Sequence, residues 1–198
     1  MSLSKAVRRK HIHCREIKCM GFQRDDGLWD IEGRMTDTKT YSYENVDRNG
    51  VSAGEAAHEM LIRLTLNDDM TVMAAEATAV SVPYNICAEA AASFDCLTGL
   101  KIGPGWRRAV IEAMGGTQGC THLRDMLMGP IAVTAFQTIY PLKQREKKLP
   151  AEKKPALLDS CHAYRSDGPV AKSRWPELFQ DRHEELTGEG GAGKDMDS

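Results

Sequence analysis

Cys120 lies in the run Gly119-Cys120-Thr121-His122-Leu123, which pairs a thiol with an imidazole two residues on. Gly115-Gly116 precede it and a long helical pattern follows, so the sequence predicts a helix start at Cys120. Backbone N–H groups and the helix dipole at such a place favour a thiolate over a thiol. A thiolate binds metals and attacks electrophiles, whereas a thiol does neither well. Five further cysteines, Cys14, Cys19, Cys87, Cys96 and Cys161, are widely spread along the chain. Cys-x-x-Cys spacing is absent, so no local zinc motif is written in the sequence.

The elements that must position these groups follow from pattern. Residues 11–43 read as strands, with Asp26-Gly27 as a hairpin turn and Leu28–Met35 alternating after it. Met60–Asn67 and Thr71–Val82 form a second hairpin, closed by Pro83. The chemistry then turns helical. Ile86–Leu97 is alanine-rich, with Asn85 placed to cap it. Trp106, Ala109, Val110, Ala113 and Met114 recur at helical spacing. Thr121–Tyr140 is helical again, and Gly129-Pro130 should kink or interrupt it. Strands first and helices after predict an α+β class, an antiparallel sheet of two hairpins with helices packed on one face.

The chain has 198 residues, with 41% hydrophobic and 27% charged, the balance of a globular protein with a substantial core. The expected organisation is one α+β domain over residues 1–142, a charged linker over 143–156, a C-terminal segment over 157–180 packing back on the domain, and a disordered tail over 187–198. A net charge of −2 gives no field that would attract nucleic acid. No apolar run is long enough to span a bilayer, and the first residues lack the apolar region of a signal peptide. A cytoplasmic location is the expectation, and dispersed reduced cysteines fit it better than a disulfide framework.

Two resemblances sharpen this reading. Arg24-Asp25-Asp26-Gly27-Leu28-Trp29-Asp30, Asp37, Lys39, His58, Cys87 and Gly119-Cys120-Thr121-His122-Leu123 resemble a bacterial domain-of-unknown-function family, number 2889. That resemblance implies no activity. Residues 56–140 also resemble the IscU/NifU-type iron–sulfur scaffold proteins. Cys87-Ala88-Glu89-Ala90-Ala91-Ala92-Ser93 is similar to their second cysteine segment, and Cys120-Thr121-His122-Leu123 to their third. His58 falls where that family has an Asp, while Ala56 stands in place of its first cysteine. The resemblance implies an IscU/SufE-like core with an extra N-terminal hairpin. It also implies that His58, Cys87 and Cys120 converge, with His122 or Cys161 as a fourth ligand. With one thiolate missing, a single zinc or iron ion is easier to build than a transferable cluster.

Each residue also has a plainer reading. Cys87 and Cys120 can pack as small apolar groups, and Cys14, Cys19 and Cys96 read as core. His11 and His13 read as exposed. Asp37 and Lys39, two apart on one strand face, read as an ion pair, and Trp29 and Trp106 as core anchors. No phosphate loop is present, so no nucleotide cofactor is expected. Three classes of function stand side by side: a small metal-binding protein, an enzyme with Cys120 as nucleophile and His58 or His122 as base, and a non-catalytic binding or assembly module. A protein partner and a homo-oligomer both stay open, as does whether the protein is an enzyme.

Overall fold

The computed structural model describes residues 3–146, 155 and 157–181. The expected tail over 187–198 lies outside them, as does most of the expected linker. The chain divides into two compact units, Met1–Lys147 and Lys148–Ser198.

The first unit opens with four antiparallel strands in the order β1 (His13–Gln23), β2 (Trp29–Lys39), β3 (Ala56–Leu66) and β4 (Val72–Ser81). Strand period 2 sorts β2 cleanly. Trp29, Ile31, Gly33, Met35 and Asp37 are buried, and the alternate residues face outward. Cross-strand register carries the same phase into β3, where Leu66, Leu64, Ile62, Met60 and His58 sit opposite Trp29, Ile31, Gly33, Met35 and Asp37. One sheet face is therefore apolar along most of its length, with Asp37 and His58 at one end of it.

Helices cover that face. After β4 the chain runs through a 3-10 turn at Asn85–Ala88, a single helical turn α1 (Glu89–Ala92) and another 3-10 turn at Phe94–Leu97. The alanine-rich stretch is thus three short pieces rather than one helix. Asn85 does not cap it; its N–H instead donates to Asp47 Oδ2 at 2.8 Å. Phe94 and Leu97 are buried, but Cys96, expected in the core, is exposed. α2 (Trp106–Met114) buries Trp106, Val110 and Met114 on one stripe.

α3 (Thr121–Met126), a π-helical turn (Leu127–Ile131) and α4 (Ala132–Glu146) form one continuous helical run. Pro130 lacks an N–H and crowds the preceding turn, and the widened π turn absorbs it without breaking the helix. The Trp106 indole donates to the Leu127 carbonyl inside that turn at 2.8 Å. The run also passes Pro141, so it extends six residues beyond the expected end at Tyr140. Two glycines let it lie close to the sheet. A Cβ on Gly33 would stand 2.7 Å from Ile131 Cδ1, and one on Gly21 would stand 1.9 Å from Thr138 Oγ1. Trp29 is 1% exposed at the other end of the core, its indole donating to Asp68 Oδ1 at 3.1 Å.

The described part of the second unit holds a 3-10 turn at His162–Tyr164 and α5 (Pro169–Arg174). Tyr164 packs against Trp175 with ring centroids 5.9 Å apart. Among the described residues no helix is long and apolar enough to cross a membrane.

Candidate metal centre

Asp37 is the pivot of the site. It occupies a buried phase position of β2 and is 3% exposed, although the large residues sharing its phase are apolar. Arg15 on β1 and His58 on β3 are its direct cross-strand partners, so three strands present one row, Arg15-Asp37-His58. The register shifts immediately after this row, Thr38 pairing with Ala56. Such bulges re-aim side chains at the ends of strands. α3 then closes the site from above. Cys120 is its N-cap residue with extended backbone, and His122 follows in the first turn. Leu123 and Met126 pack into the core and fix the helix, which leaves the His122 ring over His58, centroids 4.0 Å apart.

The carboxylate is almost fully used. Arg15 grips it with two parallel bonds, Nε to Oδ1 and Nη2 to Oδ2, both 2.7 Å. His13 Nε2 lies 3.1 Å from Oδ1. A carboxylate offers about four lone-pair positions. Arg15 takes two and His13 a third, which leaves one on Oδ2. That oxygen is 3.3 Å from His58 Nδ1 and 3.7 Å from His122 Nε2. The His58 nitrogen is buried and lacks the alignment of a hydrogen bond to any group.

The charge states suit cation binding. Burial lowers the pKa of His58, and the neighbouring His122 and Arg15 push the same way against the attraction of Asp37. Burial also lowers His122, with Arg15 adding to it and Asp37 and Asp125 opposing. For Asp37 burial acts upward, but Arg15, His13 and His58 outweigh it and hold the carboxyl below its ordinary value. These shifts favour neutral imidazoles beside an ionised carboxylate, the forms in which these groups ligate a cation.

Distances agree with that chemistry. Donors about 2.0–2.1 Å from a tetrahedral ion stand roughly 3.3 Å from one another. The two measured edges of 3.3 and 3.7 Å are close to this, and one donor atom from each of Asp37, His58 and His122 lies within 4.8 Å of the other two. Among the described residues this is the one group of three or more such donors.

Of the residues singled out in the sequence, His58 and His122 come together. Cys120 sits beside them, its Sγ 3.6 Å from His122 Nδ1, but it is not one of the three clustered donors. Cys87 sits in the Asn85–Ala88 turn, partly buried, and Cys161 is exposed on the second unit; neither belongs to the cluster. The expected ion pair between Asp37 and Lys39 is corrected by the structure. Arg15 holds Asp37, and the Lys39 ammonium stands over the Tyr43 ring at 4.2 Å. His13 is half-exposed yet engaged with Asp37. Cys14 and Cys19 are partly buried, Cys19 packing against the core, and burial pushes the Cys19 thiol up.

Above the three donors lies an open cleft of about 590 Å³, lined by Arg15, Lys39, Tyr43, Asn45, Pro83 and Tyr84 among others. A four-stranded antiparallel sheet with helices on one face, and a cluster of two histidines and one carboxylate at one end, defines the molecule as an α+β protein with a candidate metal-ligand cluster. Residues 13–137, well over half of the chain, match the family described as "Protein of unknown function (DUF2889)", and the chain belongs to that family. The matched span includes every residue of the cluster. No curated protein matches the chain, and no solved structure does, so the likeness to the iron–sulfur scaffolds gains no support there.

Proposed function

We propose that this protein binds a single divalent metal ion, zinc or ferrous iron, through His58 Nδ1, His122 Nε2 and Asp37 Oδ2. The observation that carries the reading is the buried His58 nitrogen, without an aligned hydrogen bond, 3.3 Å from the last open lone pair of Asp37 and beside a second imidazole. Three protein donors open to a cleft leave a coordination position for water or substrate, the arrangement of catalytic rather than closed structural metal sites. Arg15 and His13 act as outer partners that orient the carboxylate, and Cys120 lies against the far nitrogen of His122. The test is metal analysis of protein purified without an affinity tag, repeated on His58→Ala and His122→Ala. Near one zinc or iron per chain in the wild type, and loss in both variants, is expected. A metal-free wild type that takes up none on reconstitution defeats the proposal.

A second reading rests on the 3.6 Å contact between Cys120 Sγ and His122 Nδ1. With His122 Nε2 3.7 Å from Asp37, thiol, imidazole and carboxylate stand in the order of a nucleophile, its base and the group that orients the base. Iodoacetamide labelling of the wild type separates the two readings, with Cys120→Ser identifying the labelled site: fast, selective alkylation of Cys120 is expected under the second, and slow labelling of all six cysteines under the first. The third class, a non-catalytic binding or assembly module, fits a metal used only for structure. It is favoured if metal removal unfolds the chain and no exchangeable ligand can be found on the ion.

A further inference from the structure

We infer that the cleft takes a small organic carboxylate, its acid group held between the metal ion and the ammonium of Lys39. This rests on the metal reading above and names the ligand class of that same site. Four formal charges line the cleft: Arg15 and Lys39 are cationic, Asp37 and Glu44 anionic. Without a metal they cancel. A divalent ion adds two positive charges, and the cleft becomes a trap for anions.

The two cations are not equivalent. Arg15 spends its guanidinium fork on Asp37. Lys39 has no carboxylate partner among the described residues and makes only ring contacts, 4.2 Å to the Tyr43 centroid and 5.5 Å to that of Tyr41. It lies two residues beyond Asp37 on β2, on the same phase of the strand, which puts the two Cα atoms roughly 6–7 Å apart. A four-carbon stem bridges that span, so one carboxylate can meet the ion with one oxygen and the ammonium with the other. Of the two acidic residues of the lining, Glu44 is exposed to solvent, whereas Asp37 is buried and held by Arg15. Tyr43, Pro83 and Tyr84 supply apolar wall for the body of the ligand, and the volume is that of a small-molecule site.

Cobalt(II) in place of the native ion gives a visible spectrum that responds to its ligands. The cobalt-loaded full chain is titrated with benzoate, and separately with inorganic phosphate. Benzoate is expected to shift the spectrum saturably. Lys39→Met should weaken benzoate about tenfold with cobalt affinity unchanged, and Lys39→Arg should restore most of it. Metal-free protein should bind no benzoate. A cobalt spectrum that neither anion alters, or one that benzoate alters equally in Lys39→Met, overturns the inference and leaves the metal reading standing. Phosphate bound more than about tenfold tighter than benzoate overturns the assignment to carboxylates. Failure of the wild type to take up cobalt defeats the metal reading itself.

Discussion

Replacing Asp37 with Asn tests the centre at its pivot. The amide matches the carboxylate in shape but is neutral and carries one acceptor oxygen instead of two. In the native protein Oδ1 accepts from Arg15 Nε at 2.7 Å and lies 3.1 Å from His13, while Oδ2 accepts from Arg15 Nη2 at 2.7 Å. One of the two Arg15 bonds must be lost, because an amide nitrogen cannot accept it. Hydrogen bonds to charged groups contribute about 1.5–3 kcal/mol each. Breaking a fully buried ion pair costs about 3–5 kcal/mol, but the Arg15 side chain is 40% exposed and can rehydrate. The expected loss in the metal-free protein is therefore about 2 kcal/mol, a fall of roughly 4–8 °C in melting temperature for a domain of this size. Metal affinity should fall much further. Outer-shell changes alone cost about 10–100-fold. Asp37 is the sole anionic donor in the set, so its loss should exceed about 100-fold. Competition against a chromophoric zinc chelator reads the affinity, and calorimetry of the chelated protein reads the stability. Zinc affinity within about threefold of wild type would remove Asp37 from the ligand set and with it the reasoning from lone pairs. A destabilised variant that still binds zinc would leave Asp37 as a structural ion pair only.

Other consequences are as concrete. The pKa values of His58 and His122 are lowered in the folded chain, so the unfolded chain binds more protons once the pH drops below about 6.5. Their contribution to stability is complete above that pH and is lost as the pH falls toward their folded values, with a slope of at most about 1.4 kcal/mol per pH unit for each histidine; urea titrations of metal-free protein at about pH 5, 6 and 7 should show it, and His58→Gln/His122→Gln should flatten it. Gly119→Ala would put a Cβ 2.6 Å from the Met114 carbonyl oxygen, a backbone atom that cannot swing aside. The start of α3 must shift and carry His122 with it, so zinc affinity should drop although no ligand is changed; unchanged affinity would show that α3 is not held by this contact. Gly21→Ala would meet Thr138 Oγ1 at 1.9 Å with the Thr138 Cβ and Cγ2 both at 2.7 Å, whereas Gly33→Ala would meet the side-chain ends of Ile131 and Met126. Gly21→Ala should therefore cost the more, about 2–3 kcal/mol against about 1 kcal/mol, by denaturant midpoint.

Most of the sheet was legible because period 2 is a local signal. The Asp26-Gly27 turn, with Asp26 Oδ1 accepting from the Leu28 N–H at 3.2 Å, and the apolar phase of β2 can be read from neighbours in sequence. The helical half was less legible. Alanine content predicts a helix over Ile86–Leu97, but nothing in that stretch repeats at a spacing that could bury a whole face, and the structure buries only Phe94 and Leu97 there. Proline is a weaker stop here than its propensity suggests. Pro130 sits where a π turn absorbs it, and tertiary packing on the sheet holds a helix that local propensity would end.

The site divides along the same line. His122 is found because Cys120 is its sequence neighbour, and His58 through a family likeness. Arg15 and His13 could not be found, because they matter through strand register, and register is set by pairing rather than by neighbours. Asp37 is different, since its signal is present in the sequence. Counting by twos from Trp29 passes Ile31, Gly33 and Met35 and lands on Asp37; counting back by twos from Leu66 passes Leu64, Ile62 and Met60 and lands on His58. An ionisable residue in the buried phase of an otherwise apolar strand must be partnered, because a lone buried charge is too costly to keep. Two such residues ending the same phase of paired strands already point to one another. The candidate centre is thus written into the sheet, in a carboxylate and an imidazole that end one buried phase of two paired strands, and Cys120 is its neighbour rather than its anchor.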